Sequence, residues 1–190
     1  IWSDVVCPWC YIGKRRFERA LATVAEQRDV SSLDIVYRPY QLDPTADPDR
    51  TEPAADAYAR KFGSTERAAA IIASVTETAA DEDLEFHLDR ARRANTKRAH
   101  RLLWFAEQQP DGTRMQHRLK DRLLQAYFTD GNDIGALDVL VQAATDAGID
   151  GDTARAFLES DGGEHEVDAL LQHATRRREA RGLAAAGGPG

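Results

Sequence analysis

The sequence predicts an α/β fold in which one strand–helix–strand unit precedes a long run of helices. Residues 1–6 have the character of a short strand, and residues 33–38 alternate and are rich in β-forming side chains. Between these segments, apolar residues recur at helical spacing from Tyr11 to about Arg28. From Tyr58 to Arg181 we find helical patterns and no convincing strand.

Each element of the first unit has its own signal. The first predicted helix has its apolar face at Phe17, Ala20, Leu21, Val24 and Ala25. The strand at 33–38 is closed by the prolines that follow it. Residues 43–56 contain three prolines and five acidic residues, which predicts a solvated connector.

Apolar stripes predict the helices that follow, and polar residues predict two of their starts. Ser64 is expected to cap the first of these helices, and Asp152 to cap a short helix through Leu158. The last helix is expected to end near Gly182. The stripes lie at 68–79, 99–106, 115–127, 137–144 and 167–174.

Two strands are too few for a stable sheet, because a lone strand pair is marginal in water. We therefore expect further strands beyond the present C-terminus or from another chain. The chain opens at Ile1 and closes on Gly187-Gly188-Pro189-Gly190, so we expect it to be trimmed at both ends.

Composition bounds the class of protein. A length of 190 residues fits one domain, with or without an insertion. The net charge of -7 argues against binding to a nucleic-acid backbone, and no run of about 18 apolar residues is present to span a membrane. Two cysteines are too few for a disulfide scaffold or a multi-cysteine zinc module.

The sharpest motif is Cys7-Pro8-Trp9-Cys10 at the predicted strand-to-helix junction. Pro8 suits a first helical turn, where its missing N–H is not needed. The free N–H groups and dipole of the helix start favour a thiolate at Cys7, so we expect Cys7 to be the nucleophile. Cys10, one turn further, is expected to be less exposed and to act as the resolving thiol.

Two other interpretations of the cysteine pair remain open. It could be half of a zinc site, but no third cysteine exists and the five histidines form no close pair. It could also be an inert pair of core cysteines. The proline and the junction favour thiol–disulfide exchange over both.

Three further residues are candidates around such a site. His100 borders an apolar stripe and is expected to be structural, with a substrate-pocket role as the alternative. Asn95 is expected to cap the helix that contains His100 rather than to line a pocket. Trp9 is expected to be exposed as a substrate platform, with packing against the helices as the alternative.

Several segments together resemble DsbA-like oxidoreductases of the FrnE subfamily. The resemblance extends in order over nearly the whole chain. The similar segments are residues 2–13 (WSDVVCPWCYIG), 38–44 (RPYQLDP), 95–96, 99–103 (AHRLL), 126–128 and 133–134.

This resemblance implies a thioredoxin-like fold interrupted by an all-helical insertion. The implied parts are residues 1–51, the insertion at 52–160, and a second thioredoxin-like part at 161–190. It also implies exchange of disulfides with protein or small-molecule thiols, with no metal and no cofactor beyond the redox-active disulfide. Relatives include cytoplasmic proteins, so we expect this location. Pro189 is the candidate for the family's cis-proline at the substrate site, although Gly188 stands where valine is usual.

Two rival functions remain. A related branch of the same architecture contains glutathione-dependent isomerases and transferases, such as 2-hydroxychromene-2-carboxylate isomerase and the kappa class. These commonly have serine at the position of Cys7 and lack the second cysteine, but glutathione remains a candidate co-substrate here. The second rival is a redox-sensing binding module. An exposed Trp9 and an open sheet edge also make a homodimer an expectation.

Overall fold

The first strand pair positions the cysteine segment. In the computed structural model, which describes residues 1–180 and 182, β1 (Trp2–Ser3) pairs in parallel with β2 (Arg38–Pro39). The chain between them forms α1 (Pro8–Ala25). The predicted order of strand, helix and strand is therefore observed, but residues 33–37 form no strand. Of the predicted strand at 33–38, only Arg38 belongs to β2, which it forms together with Pro39.

A second strand pair corrects the expectation of a plain connector followed only by helices. β3 (Glu52–Pro53) pairs in antiparallel fashion with β4 (Arg92–Arg93). The Arg93 side chain holds the connector in place, because it bonds the carboxylates of Asp43 and Glu52. Strands of two residues are too short to show an alternating pattern, which explains why sequence reasoning missed them.

Seven helices follow β3 in the described part of the chain. α2 was not predicted, although Ala54, Tyr58 and Phe62 recur at helical spacing, because its first residues fall in the proline-rich and acidic stretch assigned to the connector. No helix among residues 1–180 is long and apolar enough to cross a membrane. The seven are α2 (Ala54–Phe62), α3 (Thr65–Ala80), α4 (Lys97–Glu107), α5 (Gly112–Phe128), α6 (Leu137–Asp146), α7 (Gly151–Glu159) and α8 (Glu164–Ala180).

Of the caps predicted for α3 and α7, the first is confirmed and the second is wrong. Ser64 caps α3, since its Oγ accepts the N–H of Arg67 at 3.2 Å. The cap of α7 is Asp150 rather than Asp152. The Oδ1 atom of Asp150 accepts the N–H of Thr153 at 2.9 Å, and the helix has already begun before Asp152.

A single hydrophobic core joins the helices to the cysteine segment. Leu102 of α4 and Leu119, Leu123 and Leu124 of α5 are fully buried in it. Val5, two residues before Cys7, belongs to the same cluster, as do Tyr11 and Ile12 of α1. The side chains beneath the cysteine pair are therefore surrounded by the helical region, by which we mean residues 54–159.

The buried face of α1 is not the predicted one. Phe17 and Val24 are 39% and 46% exposed. The buried side chains are Tyr11, Ile12 and Lys14. Lys14 is compensated by ion pairs with the carboxylates of Glu18 and, at 2.5 Å, Asp121 of α5. Periodicity identifies the apolar face of a helix but not the element that packs on it. Among the described residues, no element covers the predicted apolar face of α1.

Candidate active site

The two cysteines lie at the N-terminus of α1. Cys7 is the N-cap residue and Pro8 is in the first helical turn, as the sequence predicts. The carbonyl of Cys7 accepts the N–H groups of Cys10, at 3.0 Å, and Tyr11, at 3.3 Å. Both cysteines are free thiols, and both are half-buried. Because both lie in the same range of exposure, the expectation that Cys10 is the less exposed stays a prediction.

The two sulfurs hydrogen-bond to each other, so they share a proton when one thiol ionises. This bond from Cys7 lowers the pKa of Cys10 to about 6 against the effect of burial, with help from the Ser3 hydroxyl and the N–H of Asp4. The bond to Cys10 and burial raise the pKa of Cys7. The sequence argument placed the lowered pKa on Cys7. Because the two thiols titrate as a coupled pair, the lowered pKa belongs to the pair, and the role of Cys7 as the attacking sulfur stays a prediction.

Asp4 is a buried carboxylate beneath the pair. Its Oδ1 accepts the N–H of Val5 at 2.8 Å and faces Nε2 of His100 at 3.1 Å, and its Oδ2 accepts the N–H of Leu42 at 2.7 Å. Burial favours the neutral acid, but the bonds from His100 and Leu42 hold the pKa of Asp4 below its usual value. Asp4 is therefore an anion inside the protein at neutral pH.

His100 links this carboxylate to the segment after β2. Its Nε2 also lies 3.0 Å from the carbonyl oxygen of Tyr40. A carbonyl only accepts, so Nε2 carries a proton and donates it to both oxygens. The structural role predicted for His100 thus takes a specific form, the compensation of Asp4. Its alternative pocket role stays a prediction.

Sequence reasoning missed Asp4 and Lys120. Lys120 of α5 is fully buried, and its Nζ has no hydrogen-bond partner among residues 1–180 and 182. A signal for Asp4 exists, because a lone carboxylate precedes Val5-Val6 just before the motif. No such signal exists for Lys120, which follows Arg118 and precedes Asp121 in a highly charged helix.

Asn95 organises the start of α4. Its Oδ1 accepts the N–H of Lys97 at 2.9 Å, and its Nδ2 donates to the carbonyl of Ala46 at 2.7 Å. The predicted cap is therefore not formed as expected: Thr96 is the N-cap residue of α4 and makes no side-chain capping bond, and Asn95 forms an Asx turn just before the helix. Gln41 also donates to Asn95 Oδ1, at 3.2 Å, so Asn95 ties the chain after β2 to the helical region.

The remaining candidates are placed as follows. Trp9 is 59% exposed beside the cysteines, as predicted. Trp2 stacks on His173 of α8, with ring centroids 5.5 Å apart. Pro189 lies outside the described residues. Within the described residues, no three His, Cys, Asp or Glu side chains come together in an arrangement that could hold a metal ion.

A cysteine pair at a helix N-terminus, on a strand–helix–strand unit, is the arrangement of a thioredoxin-like domain. The model of the DSBA-like thioredoxin domain family matches residues 1–183 of the chain. The protein belongs to this family.

Individual relatives agree with the family match. A crystal structure described as a probable DsbA oxidoreductase, from Streptomyces coelicolor, is 32% identical and superposes with a TM-score of 0.82. That match covers 93% of this chain and 74% of the other. The uncharacterized protein YwbO of Bacillus subtilis strain 168 is 26% identical over 175 residues, which are 92% of this chain and 78% of YwbO.

Proposed function

We propose that the protein is a thiol–disulfide oxidoreductase that works through Cys7 and Cys10. The observation that carries this proposal is the pair of half-buried cysteines, Cys7 and Cys10, placed one helical turn apart at the N-terminus of α1. A pKa of about 6 at Cys10 means that the pair holds a thiolate at neutral pH. A thiolate is the species that attacks disulfides.

The exchange begins when the shared proton moves from Cys7 to Cys10. The Cys7 thiolate attacks one sulfur of a substrate disulfide, forms a mixed disulfide, and releases the other substrate sulfur as a thiolate that takes up a proton. Cys10 then loses its proton and attacks the Cys7 sulfur. The Cys7–Cys10 disulfide forms, the second substrate thiol leaves, and two electrons have passed to the substrate. The reverse sequence oxidises a dithiol.

The proposal also assigns a role to each part of the chain. The resemblance to the FrnE subfamily supports a thioredoxin-like unit formed by residues 1–51 and 161–190, with residues 52–160 as a helical insertion. The insertion would cover one side of the cysteine pair, and exposed Trp9 would offer substrates an apolar surface. The proposed reaction needs no metal, and glutathione could serve as a small thiol substrate.

The redox equilibrium tests the activity directly. The protein is equilibrated in buffers of varied glutathione ratio and followed by the fluorescence of Trp2 and Trp9, which neighbour the pair in sequence. We expect a reversible two-electron transition, and its midpoint gives the direction of exchange. A Cys7→Ser/Cys10→Ser variant, which should show no transition, is the control. A flat response of the wild-type protein would contradict the proposal.

A trapping experiment tests which cysteine attacks. With Cys10→Ser, the mixed disulfide on Cys7 cannot be resolved, so it should accumulate with a model disulfide peptide and be visible by mass spectrometry. With Cys7→Ser, we expect at least tenfold less adduct under the same conditions. The reverse pattern would assign the attack to Cys10, which has the lower pKa.

The glutathione-dependent isomerase alternative makes a different prediction. It requires a glutathione pocket that works without the thiols. Calorimetry of glutathione binding to the Cys7→Ser/Cys10→Ser variant therefore separates the two functions. Binding by that variant would favour the isomerase, whereas thiol exchange requires both sulfurs.

A further inference from the structure

A groove runs between the segment that follows β2 and one face of α8, and we call it the α8 groove. Its volume is about 420 Å³, which is within the size range of sites that bind small molecules. Apolar and charged residues both line it. The apolar part consists of Tyr40, Pro44 and Leu171, and the charged part of Asp168, Arg176 and Arg178.

The positive charge of the α8 groove is not compensated by its own lining. Arg176 is exposed and Arg178 is half-buried, and neither pairs with a carboxylate in the described part of the chain. Among the described lining residues, Asp168 is the one acidic side chain, and Nζ of Lys97 lies 2.9 Å from its Oδ1. Asp168 also precedes Arg178 by almost three helical turns, which is about 15 Å along a helix. An anion beside Arg178 would therefore meet a net positive charge.

Arg178 is held at the wall of the α8 groove by a neutral partner. Its Nη1 donates to the hydroxyl of Tyr40 at 3.3 Å, which is its one hydrogen bond in the described part of the chain. Its Nε is buried and has no hydrogen-bond partner among the described residues. A buried donor that belongs to a charged group is costly to leave unbonded, and folded proteins rarely do so. The guanidinium therefore lacks an anion that would balance its charge.

The position of Arg178 near the end of α8 does not account for these features. The helix dipole favours positive side chains in the last helical turn, and Arg177 satisfies this preference equally well. Arg177, however, is exposed and does not line the groove. Arg178 differs from it by the groove, by the bond to Tyr40 and by the buried, unbonded Nε.

We propose that the α8 groove binds a small organic carboxylate through Arg178. The carboxylate accepts from Nη2, which makes no hydrogen bond in the described part of the chain, and its negative charge compensates the guanidinium. The apolar part of the ligand lies against Tyr40, Pro44 and Leu171. These apolar residues favour an organic ligand over an inorganic anion. The inference concerns binding alone and does not depend on the proposed disulfide exchange.

An NMR titration of the ¹⁵N-labelled protein with benzoate tests the proposal. We expect saturable shifts of the Arg178 Nε–H signal and of the amides at 40–44 and 168–178, with a dissociation constant in the millimolar range. Benzamide has nearly the same shape but no charge, so it should bind at least about tenfold more weakly. Equal binding of the two probes would overturn the proposal, because the groove would then recognise only the ring. Absence of saturable shifts with benzoate would also overturn it.

A pair of variants tests the role of Arg178. Arg178→Gln removes the charge from the groove, and we expect it to weaken benzoate binding by about tenfold or more. Arg177→Gln is the matched control, because it removes the same charge from the same helical turn outside the groove. It should leave benzoate binding within about twofold of the wild type, since exposed charges are screened by salt. Equal losses in the two variants would overturn the specific role of Arg178. The comparison of benzoate with benzamide needs only the wild-type protein, so it decides the question even if Arg178→Gln does not fold.

Two further probes identify the source of the carboxylate. Free acids and the ends of peptides share this chemistry, and N-acetyl-L-phenylalanine resembles the end of a peptide. If it binds more tightly than benzoate, peptide ends are the natural ligands, and if it binds more weakly, free acids are; both results support a carboxylate site. Inorganic phosphate is the second probe. If phosphate shifts the same signals as strongly as benzoate, the groove attracts any anion, and the proposal of an organic carboxylate is overturned.

Discussion

Asp4 is the residue on which the polar interior beneath the cysteines depends. It has no exposed surface, yet its lowered pKa keeps it charged at neutral pH. Two backbone N–H groups and His100 satisfy the carboxylate, which is how proteins make a buried anion tolerable. One of these N–H groups belongs to Leu42, 38 positions along the chain, so the carboxylate also holds together the segments that follow β1 and β2.

Replacing Asp4 should lower the free energy of unfolding and make that free energy less sensitive to acid pH. A carboxyl group with a depressed pKa in the folded state adds stability above its unfolded value of about 3.9, and this stability is lost as the pH falls through the folded value. We expect Asp4→Asn to lose about 2–3 kcal/mol of unfolding free energy at pH 7 and to lose less than the wild type on acidification below pH 4. Urea unfolding at several pH values measures both effects.

The control for this prediction is Asp49→Asn, at an exposed position of the connector. Its unfolding free energy at pH 7 should match that of the wild type within about 0.5 kcal/mol. If Asp4→Asn were as stable as the wild type at pH 7, the buried carboxylate would not contribute to the stability of the fold.

The junction before α8 depends on a glycine at a close approach between elements. Gly163 has a φ of 71°, and a Cβ placed there would lie 2.7 Å from Cε3 of Trp104 on α4. Arg101 of α4 reinforces the same junction, because its Nε donates to the carbonyl of Gly162 at 2.9 Å. α8 can therefore begin against α4 only if residue 163 has no side chain.

Substitution of this glycine separates backbone strain from crowding. Gly63, at the end of α2, also has a positive φ, of 89°, but a Cβ there would meet nothing within 4 Å. We expect Gly163→Ala to lower the unfolding free energy by about 1–3 kcal/mol more than Gly63→Ala, because only the first variant overpacks the Trp104 ring. Urea unfolding of the two variants checks this, and equal losses would contradict it.

The elements show what local sequence can and cannot predict. The positions of α3 to α6 and of α8 follow from apolar spacing, that of α7 was predicted from a polar residue near its start, and Ser64 and Pro8 mark helix starts through local hydrogen-bonding chemistry. The prediction fails where the deciding contact is remote. Residues 33–37 have strand-like alternation but form no strand, and β4 is held where Arg93 meets Asp43 and Glu52, more than 40 positions earlier.

At the scale of the whole molecule, the candidate site also combines local features, which the sequence predicts, with remote contacts, which it does not. The cysteine motif, the helix start and the exposure of Trp9 are local features, so the sequence predicts them. The lowered pKa of the pair is only partly local: the bond between the two thiols, Ser3 and the N–H of Asp4 lie in the same short segment, whereas Lys120 is remote in sequence. Helix dipole reasoning considers only the first turn of α1 and not the charge of Lys120 on α5, which also lowers the pKa of Cys10.

Since the thiolate is stabilised only by the folded chain, the stability of the whole molecule should depend jointly on redox state and pH. The pKa of Cys10 falls from about 8.5 in the unfolded chain to about 6 in the fold. This contribution is complete above the unfolded value and is lost as the pH falls through the folded value.

Between pH 8 and pH 6, the reduced protein should therefore lose unfolding free energy relative to the disulfide form, by at most about 1.4 kcal/mol per pH unit. The raised pKa of Cys7 acts only above this window. Urea unfolding of both redox forms at pH 6, 7 and 8 measures the difference. In a Cys7→Ala/Cys10→Ala variant, reducing and oxidising buffers should give the same curves. If the unfolding free energies of the reduced and disulfide forms changed equally with pH, the fold would not stabilise the thiolate. The lowered pKa assigned to the pair would then be contradicted.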